Sequence, residues 1–163
     1  MKTKLSILLC TLFAFTPTSC SSDDDNNNNE PKDGLVSFAK TGCKTTSSLR
    51  SGTGENDIES VLGKESIEFE GTSDNCLFIT HYNAIFSCEA NITVSATVEG
   101  NVITLKENGT SETNCICPYD LTMKVGTLSE RTYKVVLITE GLERASFTLN
   151  YSPKVSGNVE INN

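Results

Sequence analysis

The chain has 163 residues, 37% of them hydrophobic and 7% aromatic, with 13 Lys and Arg against 21 Asp and Glu for a formal net charge of −8. That length holds one domain plus tails, and an acidic chain with no basic run lacks the charge on which nucleic-acid affinity rests. No Gly-rich phosphate loop is present, and one His beside seven Cys points to disulfides ahead of metal or cofactor chemistry.

In chain order, Lys2 and Lys4 precede an apolar run over 5–15, followed by Thr16, Pro17, Thr18, Ser19 and Cys20. A basic start, an apolar middle and small residues before a cleavage point make a secretory signal. The run is about half the roughly 20 residues a transmembrane helix needs. Small residues directly before Cys20 resemble the lipobox of bacterial lipoproteins. The resemblance implies that residues 1–19 are removed and that Cys20 is lipidated on its thiol and becomes the first mature residue. Two acyl chains would then form a durable anchor.

The next ten residues, 21–30, contain no hydrophobic side chain, so 20–34 is expected to be a disordered acidic tether. Cys20 followed by Ser22 and the run Asp23, Asp24, Asp25 resembles the export signal of Bacteroidota surface lipoproteins. It implies a lipid-anchored protein exposed at the outer membrane. Loss of residues 1–19 removes Lys2 and Lys4, leaving 163 − 19 = 144 residues with a charge of −8 − 2 = −10. Such a surface is repelled by anionic headgroups.

From residue 35 onward, short alternating runs predict strands. A first strand is expected over 35–39, followed by a polar Ser, Thr and Gly-rich loop over 44–65, whose only helical stretch is 56–62. Further strands are expected over 66–70 and 76–88, the latter long enough for a bulge. Ile92, Val94, Ala96 and Val98 alternate with Thr93, Ser95, Thr97 and Glu99, a period of two with one wet face. Gly100 and Asn101 supply a two-residue turn, and the chain returns with Ile103 and Leu105 facing inward. Tyr119, Leu121, Met123 and Val125 form the next buried row. Residues 133–138 are apolar on both faces, as a central strand would be, and Ala145, Phe147, Leu149 and Tyr151 alternate again.

Seven or eight short strands without a long helix predict an all-β fold, an antiparallel two-sheet sandwich forming one domain over 35–163. The stretch 119–137 resembles the strand, turn, strand ending of immunoglobulin and fibronectin type III modules. Gly42, Cys43 and Lys44 early, and Cys115, Ile116 and Cys117 ahead of Tyr119, Asp120 and Leu121, resemble small Bacteroidota lipoproteins.

With Cys10 in the leader and Cys20 lipidated, five cysteines remain. If strands run alternately up and down, Cys43, Cys88, Cys115 and Cys117 collect at one end of the sandwich. A bridge between Cys115 and Cys117 closes a strained loop, so Cys43 and Cys88 are each expected to bond one of them, with the choice open. Cys76 opens the strand that Cys88 closes, lies at the opposite end, and is the candidate free thiol. A zinc site built from the four clustered thiols is disfavoured because only one close Cys pair is present, so no metal is expected.

His81 falls in a strand with Ile79 and Ile85 at even spacing and reads as a packed core histidine. A Cys and His nucleophilic pair would need it exposed beside a thiol. No pair of carboxylates stands out as catalytic, so no catalytic residue is assigned. The sequence thus predicts a non-enzymatic surface lipoprotein acting as an interaction or accessory module, with membrane contact through the anchor. Its further partner would be an envelope protein or a glycan. The alternative is a glycan- or small-ligand-binding lipoprotein using the loops 44–65 and 108–114, aided by an exposed Tyr.

Overall fold

The computed structural model describes residues 32–44 and 63–161, which form ten strands and no helix. The leader, the lipidation candidate Cys20, most of the tether and the loop 45–62 lie outside the described residues. In chain order the strands are β1 (Lys32–Asp33), β2 (Leu35–Lys40), β3 (Ser66–Gly71), β4 (Leu77–Ser87), β5 (Asn91–Glu99), β6 (Val102–Thr110), β7 (Ile116–Val125), β8 (Thr132–Thr139), β9 (Leu142–Asn150) and β10 (Ser156–Glu160). Two of these, β1 and β10, were not expected. β1 pairs Lys32 with Val98 and Asp33 with Thr97, so the sandwich begins inside the segment read as tether.

The strands divide into two five-stranded sheets, one ordered β1-β5-β6-β8-β9 and the other β10-β3-β4-β7-β2. Alternation fixes which face is buried, because a slip of one residue would turn every apolar side chain outward. Ile67, Ile79, Leu121 and Met123 from the second sheet meet Ile92, Ile103, Leu105, Val135 and Leu137 from the first, all buried. Each such side chain stabilises the fold by roughly 1.5–3 kcal/mol. Phe69 on β3 stacks on Phe147 on β9 with ring centroids 5.5 Å apart, tying the sheets together.

The sandwich is therefore as expected, with two differences in connection. β6 and β8 run parallel, Val102 beside Lys134 through Glu107 beside Thr139, so the first sheet is mixed rather than purely antiparallel. The stretch 119–137 is no hairpin, since β7 lies in one sheet and β8 in the other. That crossover, with Leu128 buried on the way, lets β8 insert between β6 and β9.

β4 carries the bulge its length allowed. Its register against β7 shifts between His81 and Ala84, and Asn83 there has φ 56°, a left-handed conformation that Asn tolerates better than most residues. The local hydrogen bonds of this kink are met: Asn83 N donates to Asp120 Oδ1 at 3.1 Å and Asn83 Nδ2 donates to the Lys64 carbonyl at 2.8 Å. The extra residue reverses the inward phase, so Ala84 and Phe86 are buried while Ile85 is half-buried. The even spacing of His81 with Ile85 thus did not identify a common face.

At one end of the sandwich the chain is cross-linked twice, Cys43 to Cys117 and Cys88 to Cys115. Lys44 N also donates to the Pro118 carbonyl at 3.0 Å, and Asp120 N to Thr41 Oγ1 at 2.9 Å, so the chain beyond β2 follows β7. Cys76 departs from the expected free thiol: it is buried and disulfide-bonded.

Candidate functional site

Two features stand apart from an ordinary sandwich. The first is a chain of charges sealed between the sheets. His81 projects from β4 and is 0% exposed, and Glu107 on β6 opposite it is also 0% exposed. His81 Nδ1 lies 2.9 and 3.1 Å from the two carboxylate oxygens of Glu107, and His81 Nε2 lies 2.9 Å from Glu65 Oε1. Glu65 immediately precedes β3 and accepts two hydrogen bonds from Arg144 on β9, one from Nε at 3.3 Å and one from the terminal guanidinium nitrogen. Thr139 Oγ1 on β8 donates to Glu107 Oε2 at 2.9 Å.

Buried charges survive only when paired and hydrogen-bonded. Here an imidazolium and a guanidinium alternate with two carboxylates, and no buried side-chain polar atom among the described residues lacks a partner. Burial alone would drive His81 toward its neutral form. The hydrogen bonds to Glu107 and Glu65, and their negative charges, outweigh that and raise its pKa to about 9. For Glu65, burial pushes the pKa upward, but hydrogen bonds from His81 and Arg144 win and hold it below the ordinary value of 4.5.

The two shifts set the pH dependence of stability. The His81 contribution is fully present below its ordinary pKa of 6.5 and is lost as pH rises through about 9. The Glu65 contribution is present above 4.5 and fades as pH falls through its lowered folded value. Raising the pH from about 6 to about 10 is expected to remove about 3 kcal/mol of unfolding free energy. Urea midpoints across that range check this, and an unchanged midpoint contradicts it.

Both nitrogens of His81 being committed to carboxylates, the imidazole has no free position for a nucleophile or a substrate, which removes the Cys and His pair. Four of the cysteines considered for zinc are tied up in the two bridges. Among the described residues no group of three or more His, Cys, Asp or Glu side chains is placed to hold a metal ion.

The second feature is a groove of about 220 Å³ on the open face of the second sheet. Glu68 and Glu70 on β3, Phe78, Thr80 and Tyr82 on β4 and Thr122 on β7 line it. Cross-strand register places Glu70 beside Phe78 and Glu68 beside Thr80, with Thr122 beyond Thr80. The two threonine hydroxyls share a hydrogen bond of 3.2 Å at its floor. Phe78 is 37% exposed, its ring open on this face. Loss of hydration and the neighbouring Glu68, to which its hydroxyl is bonded, raise the Tyr82 pKa. At the rim, Lys124 Nζ lies 2.7 Å from Asp74 Oδ2 and 5.7 Å from the Phe78 ring centroid.

No family model, curated protein or solved structure matches the chain. The site is therefore read from its own geometry.

That geometry differs from the expected loops. Residues 45–62 lie outside the described set, yet Glu65, read as part of the same polar loop, is buried in the charge network. β6 extends to Thr110, shortening the other loop. Ser111 and Thr113 hydroxyls both donate to the Cys88 carbonyl, at 2.8 and 2.6 Å, which holds that loop against the bridged end. Sequence reasoning placed Tyr82 among the aromatics but missed the groove, Glu107 and the role of Glu65. Glu107 was within reach: it continues the inward row of Ile103 and Leu105 by one more step of two.

Proposed function

We propose that this chain is a non-enzymatic lipoprotein held on the outer face of the outer membrane, whose sandwich acts as an interaction or accessory module there. One observation carries the non-catalytic part of the reading. The only histidine is sealed between the sheets in a charge-balanced network, while the accessible groove offers aromatic faces, hydroxyls and carboxylates on a rigid sheet. Such a surface suits recognition, since side chains held by strands keep their positions. The leader and acidic tether support the location.

A photo-crosslinking residue in place of Tyr82, introduced into the full chain on intact cells, is expected to capture a discrete envelope component. The same residue in place of Lys134, on the outer face of the other sheet, is expected to capture none. Equal labelling at both places, or turnover of a polysaccharide or ester by the purified protein, overturns the reading.

The groove also favours the second reading, a glycan- or small-ligand-binding lipoprotein. Its site would be the open face of the second sheet, with Tyr82 and Phe78 as walls, in place of the loops 44–65 and 108–114.

A further inference from the structure

We propose that the bridge from Cys88 to Cys115 is a site of thiol–disulfide exchange, opened by an external dithiol that attacks the sulfur of Cys115, while the bridge from Cys43 to Cys117 beside it stays closed. The inference is independent of what the groove binds. Attack on a disulfide requires access to one of its sulfurs, and exposed bridges are the labile ones. Both bridges meet the start of β7, yet they differ in this respect. Cys115 is exposed and Cys88 half-buried, whereas Cys117 is 1% exposed and its partner Cys43 half-buried. Cys76 is fully buried. Ile116, 54% exposed next to Cys115, offers an incoming donor an apolar contact.

The exchange balances as follows. One thiolate of the donor attacks Cys115 Sγ, the bond to Cys88 Sγ breaks, and its electron pair leaves on Cys88, which takes a proton. The second thiol of the donor then attacks the donor sulfur of the mixed disulfide and releases Cys115 as a thiolate, which is protonated in turn. The donor departs as a disulfide, and its two electrons and two protons stay on the opened cysteines. An oxidised donor runs the same steps backward. Exchange between Cys115 and Cys117 would close a strained loop, which keeps the two bridges from scrambling through each other.

The backbone around the bridge keeps the opened thiols facing each other. Ser87 pairs with Ile116 in the ladder of β4 and β7, so Cys88 and Cys115 are the next residues across, with Cα atoms 5.4 Å apart. Cys88 N donates to the Cys115 carbonyl at 2.9 Å, and the Ser111 and Thr113 hydroxyls hold the loop on the Cys88 carbonyl. None of these bonds depends on the sulfurs. Opening therefore loosens the 111–115 segment without releasing it, and the bridge from Cys43 to Cys117 still ties the chain beyond β2 to β7. One cross-link at this end is fixed and the other follows the thiol balance outside.

The test is titration of the folded full chain with dithiothreitol, with free thiols trapped by N-ethylmaleimide and located by peptide mass mapping. Cys88 and Cys115 are expected to take up label together at a reductant concentration about tenfold below that needed for Cys43, Cys117 or Cys76, with the far-ultraviolet circular dichroism unchanged. With 2-mercaptoethanol, which has a single thiol, the trapped mixed disulfide should lie on Cys115 and not on Cys88. Ser111→Ala combined with Thr113→Val should slow reclosure after removal of the reductant by about threefold. Thr80→Val, which removes a hydroxyl from the other end of β4, should leave reclosure unchanged. Labelling of Cys43, Cys117 or Cys76 first, or of all of them together as the structure is lost, overturns the proposal. A mixed disulfide on Cys88 overturns the choice of sulfur, and reclosure that the hydroxyl substitutions do not slow overturns their part in it.

Discussion

His81→Ala is expected to cost about 3–5 kcal/mol of stability. The loss exceeds that of a cavity of the same size because of what is left behind. Among the described residues, Glu107 would remain fully buried with Thr139 as its one side-chain donor, and Glu65 would keep only Arg144. An uncompensated carboxylate in that position must take up a proton or draw in water. Urea unfolding followed by far-ultraviolet circular dichroism measures the change. Replacing the pair together, His81→Leu with Glu107→Leu, removes both charges and should recover most of the loss, since apolar substitutes for buried ion pairs are often neutral or better. A loss below about 1 kcal/mol for His81→Ala would mean that the network contributes little.

Removal of the Cys43 to Cys117 bridge, by serine at both positions, is expected to cost about 4 kcal/mol. Its sequence separation is 74, against 27 for Cys88 to Cys115. Restricting a longer loop of the unfolded chain stabilises more, and the shorter bridge should be worth about 3.5 kcal/mol in the same treatment. The longer bridge also pins β2, an edge strand whose contacts in its sheet are with β7 alone. Against a net stability of 5–15 kcal/mol typical of natural domains, either loss is large. Urea midpoints of the two double-serine variants should fall in that order. The reverse order would show that local strand anchoring, rather than loop length, sets the contribution.

The strands that were legible in the sequence are those with one clean face. Ile92 and Ala96, Ile103 and Leu105, and Tyr119 through Val125 alternate without interruption, and all of these are buried. The collection of Cys43, Cys88, Cys115 and Cys117 at one end followed from counting strand directions, a count that survives because each of β4, β5 and β6 turns back on its predecessor. What failed to show was set by long-range geometry. The parallel pairing of β6 with β8 depends on β7 leaving the sheet, and nothing in 126–132 announces a crossover.

The polar core was hidden for a related reason. Glu65 and Glu107 look like solvated residues beside Lys64, Lys106 and Asn108, and only the partner strands supply His81 and Arg144 to neutralise them. The β4 bulge hid the phase of its second half, because a one-residue insertion is invisible to a count of alternate positions. β10, with Gly157 among Ser156 and Asn158, lacks β-branched residues except Val159 and is a strand because β3 offers it an edge. Close packing of Phe69 against Gly157 rewards the absence of a side chain there.

The account as a whole joins this sandwich to a membrane through Cys20. Intact mass of the protein extracted from the membranes of cells making the full chain tests that most directly, paired with protease treatment of the same cells before lysis. The expected mass is that of residues 20–163 plus a diacylglyceryl group on Cys20, in a species degraded by external protease. A soluble species that retains residues 1–19 with Cys20 unmodified, or a lipidated one fully shielded from external protease, would contradict the claim.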